Sequence, residues 1–60
     1  MQLSKQDRVK VGGYFGLSVE AVIVNHPKKI RKWWDFKAMT DSGDEIHYVV
    51  KEDDVVIIGD

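Results

Sequence analysis

The amino-acid sequence predicts an all-β fold: a five-stranded small barrel with a 3-10 turn before its last strand. Three observations carry that expectation. The segment from Trp33 to Gly59, WWDFKAMTDSGDEIHYVVKEDDVVIIG, alternates apolar and polar residues, turns at Asp-Ser-Gly, alternates again, and ends in a Val-Val-Ile-Ile run. Upstream, Asp7–Val11 alternates in the same way, and Ser18–Asn25 is rich in β-branched residues. Finally, a flat sheet of 60 residues would expose one apolar face and two edges. Curling the sheet into a barrel covers the face and shields the edges.

Residues 1–6 are polar and expected to be loose. In the first strand, Val9 and Val11 share one face, and Arg8 and Lys10 the other. Gly12-Gly13-Tyr14-Phe15-Gly16 is a loop whose glycines permit positive φ, while its two aromatics need an apolar seat. The second strand runs to Asn25. Pro27 lacks an N–H and disfavours helical geometry at His26, so Asn25–Lys29 is expected to be a turn. Ile30–Met39 is the third strand, with Trp34, Phe36 and Ala38 on one face and Trp33, Asp35 and Lys37 on the other. Asp41–Asp44 is a hairpin turn with Gly43 left-handed. Glu45–Val50 is the fourth strand, Lys51–Asp54 suits one 3-10 turn, and Val55–Ile58 is the fifth. The predicted core is Val9, Val11, Val19, Ala21, Ile23, Trp34, Phe36, Ala38, Ile46, Tyr48, Val55 and Ile57.

One domain is expected at this length, burying only about 60% of its unfolded-chain surface. With no cysteine, neither a disulfide nor a thiolate metal site can brace it. The start, Met1-Gln2-Leu3, is polar and short, so neither a signal peptide nor a membrane span is expected. A cytoplasmic protein is the expectation. The net charge of −1 conceals a division. Residues 1–38 carry eight cations against three carboxylates, and residues 39–60 carry one against seven. Either two surfaces of opposite sign result, or strands from the two halves interleave and the charges mix.

This order of elements resembles the SH3-like barrel, and within it the KOW/Tudor-like group. The resemblance rests on the opening Asp7-Arg8-Val9-Lys10-Val11 and on the run from Tyr48-Val49-Val50 to Asp53-Asp54-Val55-Val56-Ile57-Ile58. It spans residues 7–59. A KOW motif proper centres a glycine on the second strand, and Ser18-Val19-Glu20-Ala21-Val22 has none. The pattern is also similar to that of small phage and prophage proteins. Fold resemblance of this kind implies an architecture, not an activity.

No enzyme is expected. The chain lacks a cysteine nucleophile, a phosphate-binding glycine loop and a recognised metal-ligand spacing. His47 with Asp53-Asp54 is better read as surface residues beside an acidic turn than as a metal site, and no cofactor is expected. The sharpest cluster is Lys28-Lys29-Ile30-Arg31-Lys32-Trp33-Trp34. If Trp34 faces the core, alternation puts Trp33 outside, where it could stack on a base while Lys28, Lys29, Arg31 and Lys32 meet phosphates. The plain alternative is a soluble hairpin edge with Trp33 covered by its neighbours. Tyr14 and Phe15 are candidates for an aromatic shelf beside Trp33; the alternative is that Phe15 and Leu17 plug one barrel end. The acidic residues Asp41, Asp44, Glu45 and Glu52–Asp54 could dock a basic partner, or simply solvate turns. The expected function is non-enzymatic binding, of nucleic acid first and of a protein partner as the alternative. The expected state is a monomer or a weak homodimer through Trp33.

Overall fold

A computed structural model describes residues 1–13 and 16–59. Tyr14 and Phe15, two of the expected site residues, lie outside the described residues. Six strands form one curled antiparallel sheet, a half-barrel. They are β1 (Arg8–Gly12), β2 (Ser18–Ile23), β3 (Lys28–Ile30), β4 (Trp33–Thr40), β5 (Glu45–Lys51) and β6 (Val55–Gly59). A 3-10 turn, Glu52–Asp54, separates β5 from β6, as the sequence predicts.

The expected third strand is divided. Lys28–Ile30 forms a strand of its own, and Arg31-Lys32 turns it back onto β4, so the basic segment is a small hairpin rather than a turn leading into one strand. Pro27 explains why the chain cannot extend β2 to this point, and Arg31 makes the reversal with φ 57, a conformation uncommon outside glycine. Strand β4 is the spine of the fold. Strand β5 pairs along one of its edges from Trp33 to Met39. The other edge is shared: β3 takes Trp33–Asp35 and β2 takes Ala38–Thr40. Between them the backbone of Lys37 is satisfied at both groups. Its N–H donates to Asn25 Oδ1 at 2.9 Å, and its carbonyl accepts from Val24 N at 2.9 Å. Strand β1 lies between β2 and β6, so the last strand returns to the first.

Cross-strand partners share a face, and the registers therefore define an inner surface. Val9 is opposite Ala21 and Ile57; Val11 is opposite Val19 and Val55; Phe36 is opposite Tyr48; Ala38 is opposite Ile23 and Ile46. The buried core is Leu3, Val9, Val11, Ala21, Ile23, Trp34, Phe36, Ala38 and Val55, with Tyr48 and Val50 packed against it. Phe36 and Tyr48 meet at 5.6 Å between ring centroids, and burial pushes the Tyr48 phenol up from its ordinary value. The indole Nε1 of Trp34 is buried without a hydrogen-bond partner.

Of the expected core residues Tyr48 is half-buried, and three are exposed: Val19, Ile46 and Ile57. They lie on the inner face by register, but at its margins. Among the described residues β6 pairs only with β1, and β5 only with β4, so the sheet does not close between β5 and β6. Ile46 and Ile57 lie on those two strands and stay partly in water, and Val19 lies on β2 outside its ladder with β4, which covers only Ala21–Ile23. Leu3 corrects the expectation in the other direction. Residues 1–6 were expected to be loose, yet Leu3 is only 3% exposed. Gln6 N donates to Ile23 O at 2.8 Å, and Asp7 Oδ2 accepts from Ser4 N at 2.9 Å, which fixes the turn that carries Leu3 back onto the core. Gly43 has φ 87 in the β4–β5 turn, where Gly43 N donates to Thr40 O.

The two charged halves of the sequence do interleave. Arg8 on β1 reaches both carboxylate oxygens of Asp41 at 2.9 Å, and Lys29 on β3 meets Glu52 at 2.8 Å.

Candidate nucleic-acid interface

The outer surface of β3, β4 and β5 is built in cross-strand rows. Ile30, Trp33 and Lys51 form one row; Lys28, Asp35 and Val49 form the next; Lys37 and His47 follow. Alternation along β4 drives this arrangement. Trp34 and Phe36 enter the core, so Trp33, Asp35 and Lys37 are turned outward. Trp33 is 43% exposed and Ile30 60%. The Nζ of Lys51 stands 5.8 Å from the Trp33 ring centroid, a cation held against the indole face.

Charge on this surface is uneven along the strands. Lys28, Lys37 and Lys51 project from it, and Arg31 and Lys32 form the hairpin tip beside it. Its one carboxylate near that end, Asp35, is engaged by His47 Nε2 at 2.6 Å. The acidic end is distant: Glu45 pairs with Met39 at the far end of the same face, next to the Asp41–Asp44 turn.

The structure thus brings Lys28, Arg31, Lys32 and Trp33 together and separates Lys29 from them. Lys29 lies opposite Trp34 on the other face, with its Nζ 5.4 Å from that ring and 2.8 Å from Glu52. Glu52 is held below the usual carboxylate range, first by its hydrogen bond to Lys29 and then by that residue's charge. Glu52 N also donates to Lys32 O at 2.8 Å, which ties the 3-10 turn to the hairpin tip. Lys37 and Lys51 belong to the surface as well. The sequence carried the signal for Lys37, which β4 alternation puts on Trp33's face, but the Trp33–Lys51 pairing needs the β4–β5 register.

Beside this surface, a cavity of about 540 Å³ opens along the β5 margin. Trp33, Tyr48, Val50 and Lys51 line one side, and Gly12, Gly13 and Asp54 face them. A Cβ on Gly13 would stand 3.1 Å from Leu17 O, so a side chain there would have to push that carbonyl by a few tenths of an ångström. Among the described residues, no group of three or more metal-ligating side chains converges, and no helix is long and apolar enough to cross a membrane. No protein-family model, curated protein or solved structure matches this chain.

Proposed function

We propose that the protein is a non-enzymatic binding module for single-stranded nucleic acid, using the outer surface of β3–β4–β5. The carrying observation is Trp33: an exposed indole on a sheet face, flanked by Ile30 and Lys51 and surrounded by Lys28, Lys37, Arg31 and Lys32. A flat sheet face offers stacking to unpaired bases, and the surrounding cations meet the backbone. The pairing of Lys29 with Glu52 on the other face, and the contact of Asp35 with His47, define which charges take part. The overall pI is near 6.0: Asp41, Asp44 and Glu45 gather at the other end of the sheet, while the 3-10 turn Glu52–Asp54 lies beside the hairpin tip, where Lys29 engages Glu52. The half-barrel order, with a one-turn helix before a last strand that returns to the first, supports an SH3-like reading of the KOW/Tudor-like kind.

The test is an amide-resolved NMR titration with short single-stranded oligonucleotides at low and physiological salt. Three to five phosphate contacts give a log–log salt slope of roughly −2 to −3.5. Shifts should gather at Lys28, Ile30, Trp33, Lys37 and Lys51. A spectrum that does not respond rejects this reading. The cavity between β5 and Gly12-Gly13 favours the second reading, an extended segment of a protein partner lying beside Trp33.

A further inference from the structure

Strand β5 is one of the edge strands of this fold. Its seven residues pair with β4 in unbroken register and, among the described residues, with no strand on the other side. It contains no proline or bulge, two of the devices that protect such an edge, and its charges, Glu45 and Lys51, stand only at its ends. Val49 is 55% exposed and Ile46 38%. Toward Lys51 the edge opens onto the cavity described above rather than onto packed chain.

We propose that the occupant of this edge is β5 of a second copy, paired antiparallel about a two-fold axis through Tyr48. The charge order of Glu45-Ile46-His47-Tyr48-Val49-Val50-Lys51 selects this partner. In that register Glu45 faces Lys51 of the second copy, and the reverse contact is made by symmetry. Ile46 faces Val50, His47 faces Val49, and Tyr48 meets its own equivalent. Apolar residues meet apolar ones on the inner face, and both terminal charges find opposite partners on the outer face. Glu45 and Lys51 make no ion pair among the described residues of one copy. Sliding the register by two residues breaks both ion pairs, so one pairing is singled out.

Strand β6 also has a free edge, with Val56, Ile57 and Ile58 exposed. It is shorter, carries no charge to set a register, and its ladder with β1 shifts between Arg8 and Val9. Self-pairing is therefore assigned to β5. The assembled sheet would run β3-β4-β5-β5-β4-β3, with both Trp33 side chains on the same face about 25 Å apart, from strand spacing and rise. The inference does not rest on nucleic-acid binding.

Sedimentation velocity from micromolar to millimolar protein, without nucleic acid, tests it. The wild-type chain should pass from monomer to dimer across that range. Glu45→Lys sets two like-charge pairs in place of two ion pairs and should raise the dissociation constant roughly tenfold, as should Lys51→Glu. The doubly reversed chain, E45K with K51E, should regain the wild-type constant. That restoration separates specific pairing from a loss of folding, which circular dichroism checks in each variant. A monomer at every concentration overturns the proposal. So does a dimer indifferent to both single reversals, or a double variant no tighter than either single one.

Discussion

Replacing Leu3 by alanine asks whether the amino-terminal segment belongs to the core. The change removes three buried carbons from a side chain 3% exposed. At about 0.8 kcal/mol for each buried methylene-sized group, the transfer loss alone is roughly 2.4 kcal/mol. Cavity terms raise such losses toward 5 kcal/mol where surroundings cannot relax. Here the Ser4–Asp7 turn can let residues 1–3 swing away, so the expected cost stays between about 2 and 3 kcal/mol. A 60-residue domain has a small unfolding entropy, and each kcal/mol moves its midpoint by about 6–8 °C. The expected fall in Tm is therefore about 12–24 °C, a large share of the 3–9 kcal/mol typical of this size. Thermal and urea unfolding followed by circular dichroism would measure it. A loss below about 0.5 kcal/mol would refute the burial of Leu3 and restore the picture of a loose segment.

Four further outcomes follow from particular residues. Trp33→Ala should leave the fold intact and weaken oligonucleotide binding by about 5–150-fold, the equivalent of one lost base stack, measured by fluorescence anisotropy with a labelled strand. Gly43→Ala meets open space but must hold φ 87, so strain alone should cost about 1–2 kcal/mol in urea unfolding. Arg31→Asn places a residue tolerant of φ 57 at the β3–β4 reversal. Stability should hold or rise by up to about 1 kcal/mol while the salt slope of binding becomes shallower by roughly 0.7. For Glu52, Lys29 depresses the folded pKa. The resulting stabilisation is complete above the ordinary carboxylate pKa and is lost as pH falls through the lowered value. Glu52→Gln should flatten the acid limb of the Tm–pH curve, and an unchanged limb would count against the Lys29 contact.

How much of this was legible in the sequence depends on what each feature requires. Alternation along Trp33–Thr40 is a local property, and it correctly placed Trp34, Phe36 and Ala38 inside and Trp33 outside. Gly43 and the Glu52–Asp54 turn were equally local. The β3 hairpin was not, because Lys28-Lys29-Ile30 is a strand only by virtue of the free β4 edge it meets at Trp33–Asp35. Val19, Ile46 and Ile57 carry the right pattern for a core, but burial depends on closure between β5 and β6 for the last two and on the extent of the β2–β4 ladder for Val19, which no local pattern encodes. Leu3 stands alone in a polar stretch with no periodicity to mark it, and it is the Ser4–Asp7 turn and the bonds of Gln6 and Asp7 to Ile23 that bring it back.

The division of charge between the halves of the chain resolves differently from either simple expectation. Interleaving does mix some charges, since Arg8 finds Asp41 and Lys29 finds Glu52 across the two halves. Those contacts use cations of β1 and of the inner side of β3. What they leave is a gradient along β4 and β5, with Lys28, Lys51 and the Arg31-Lys32 tip at one end and Glu45 with the Asp41–Asp44 turn at the other. A parallel neighbour on the β5 edge would meet like charge at both ends of that gradient; an antiparallel copy meets opposite charge. Exposed ion pairs contribute little to stability, typically under about 1 kcal/mol. Their value on β5 lies in the choice of register and partner, where two symmetry-related pairs act together and each wrong alignment loses both.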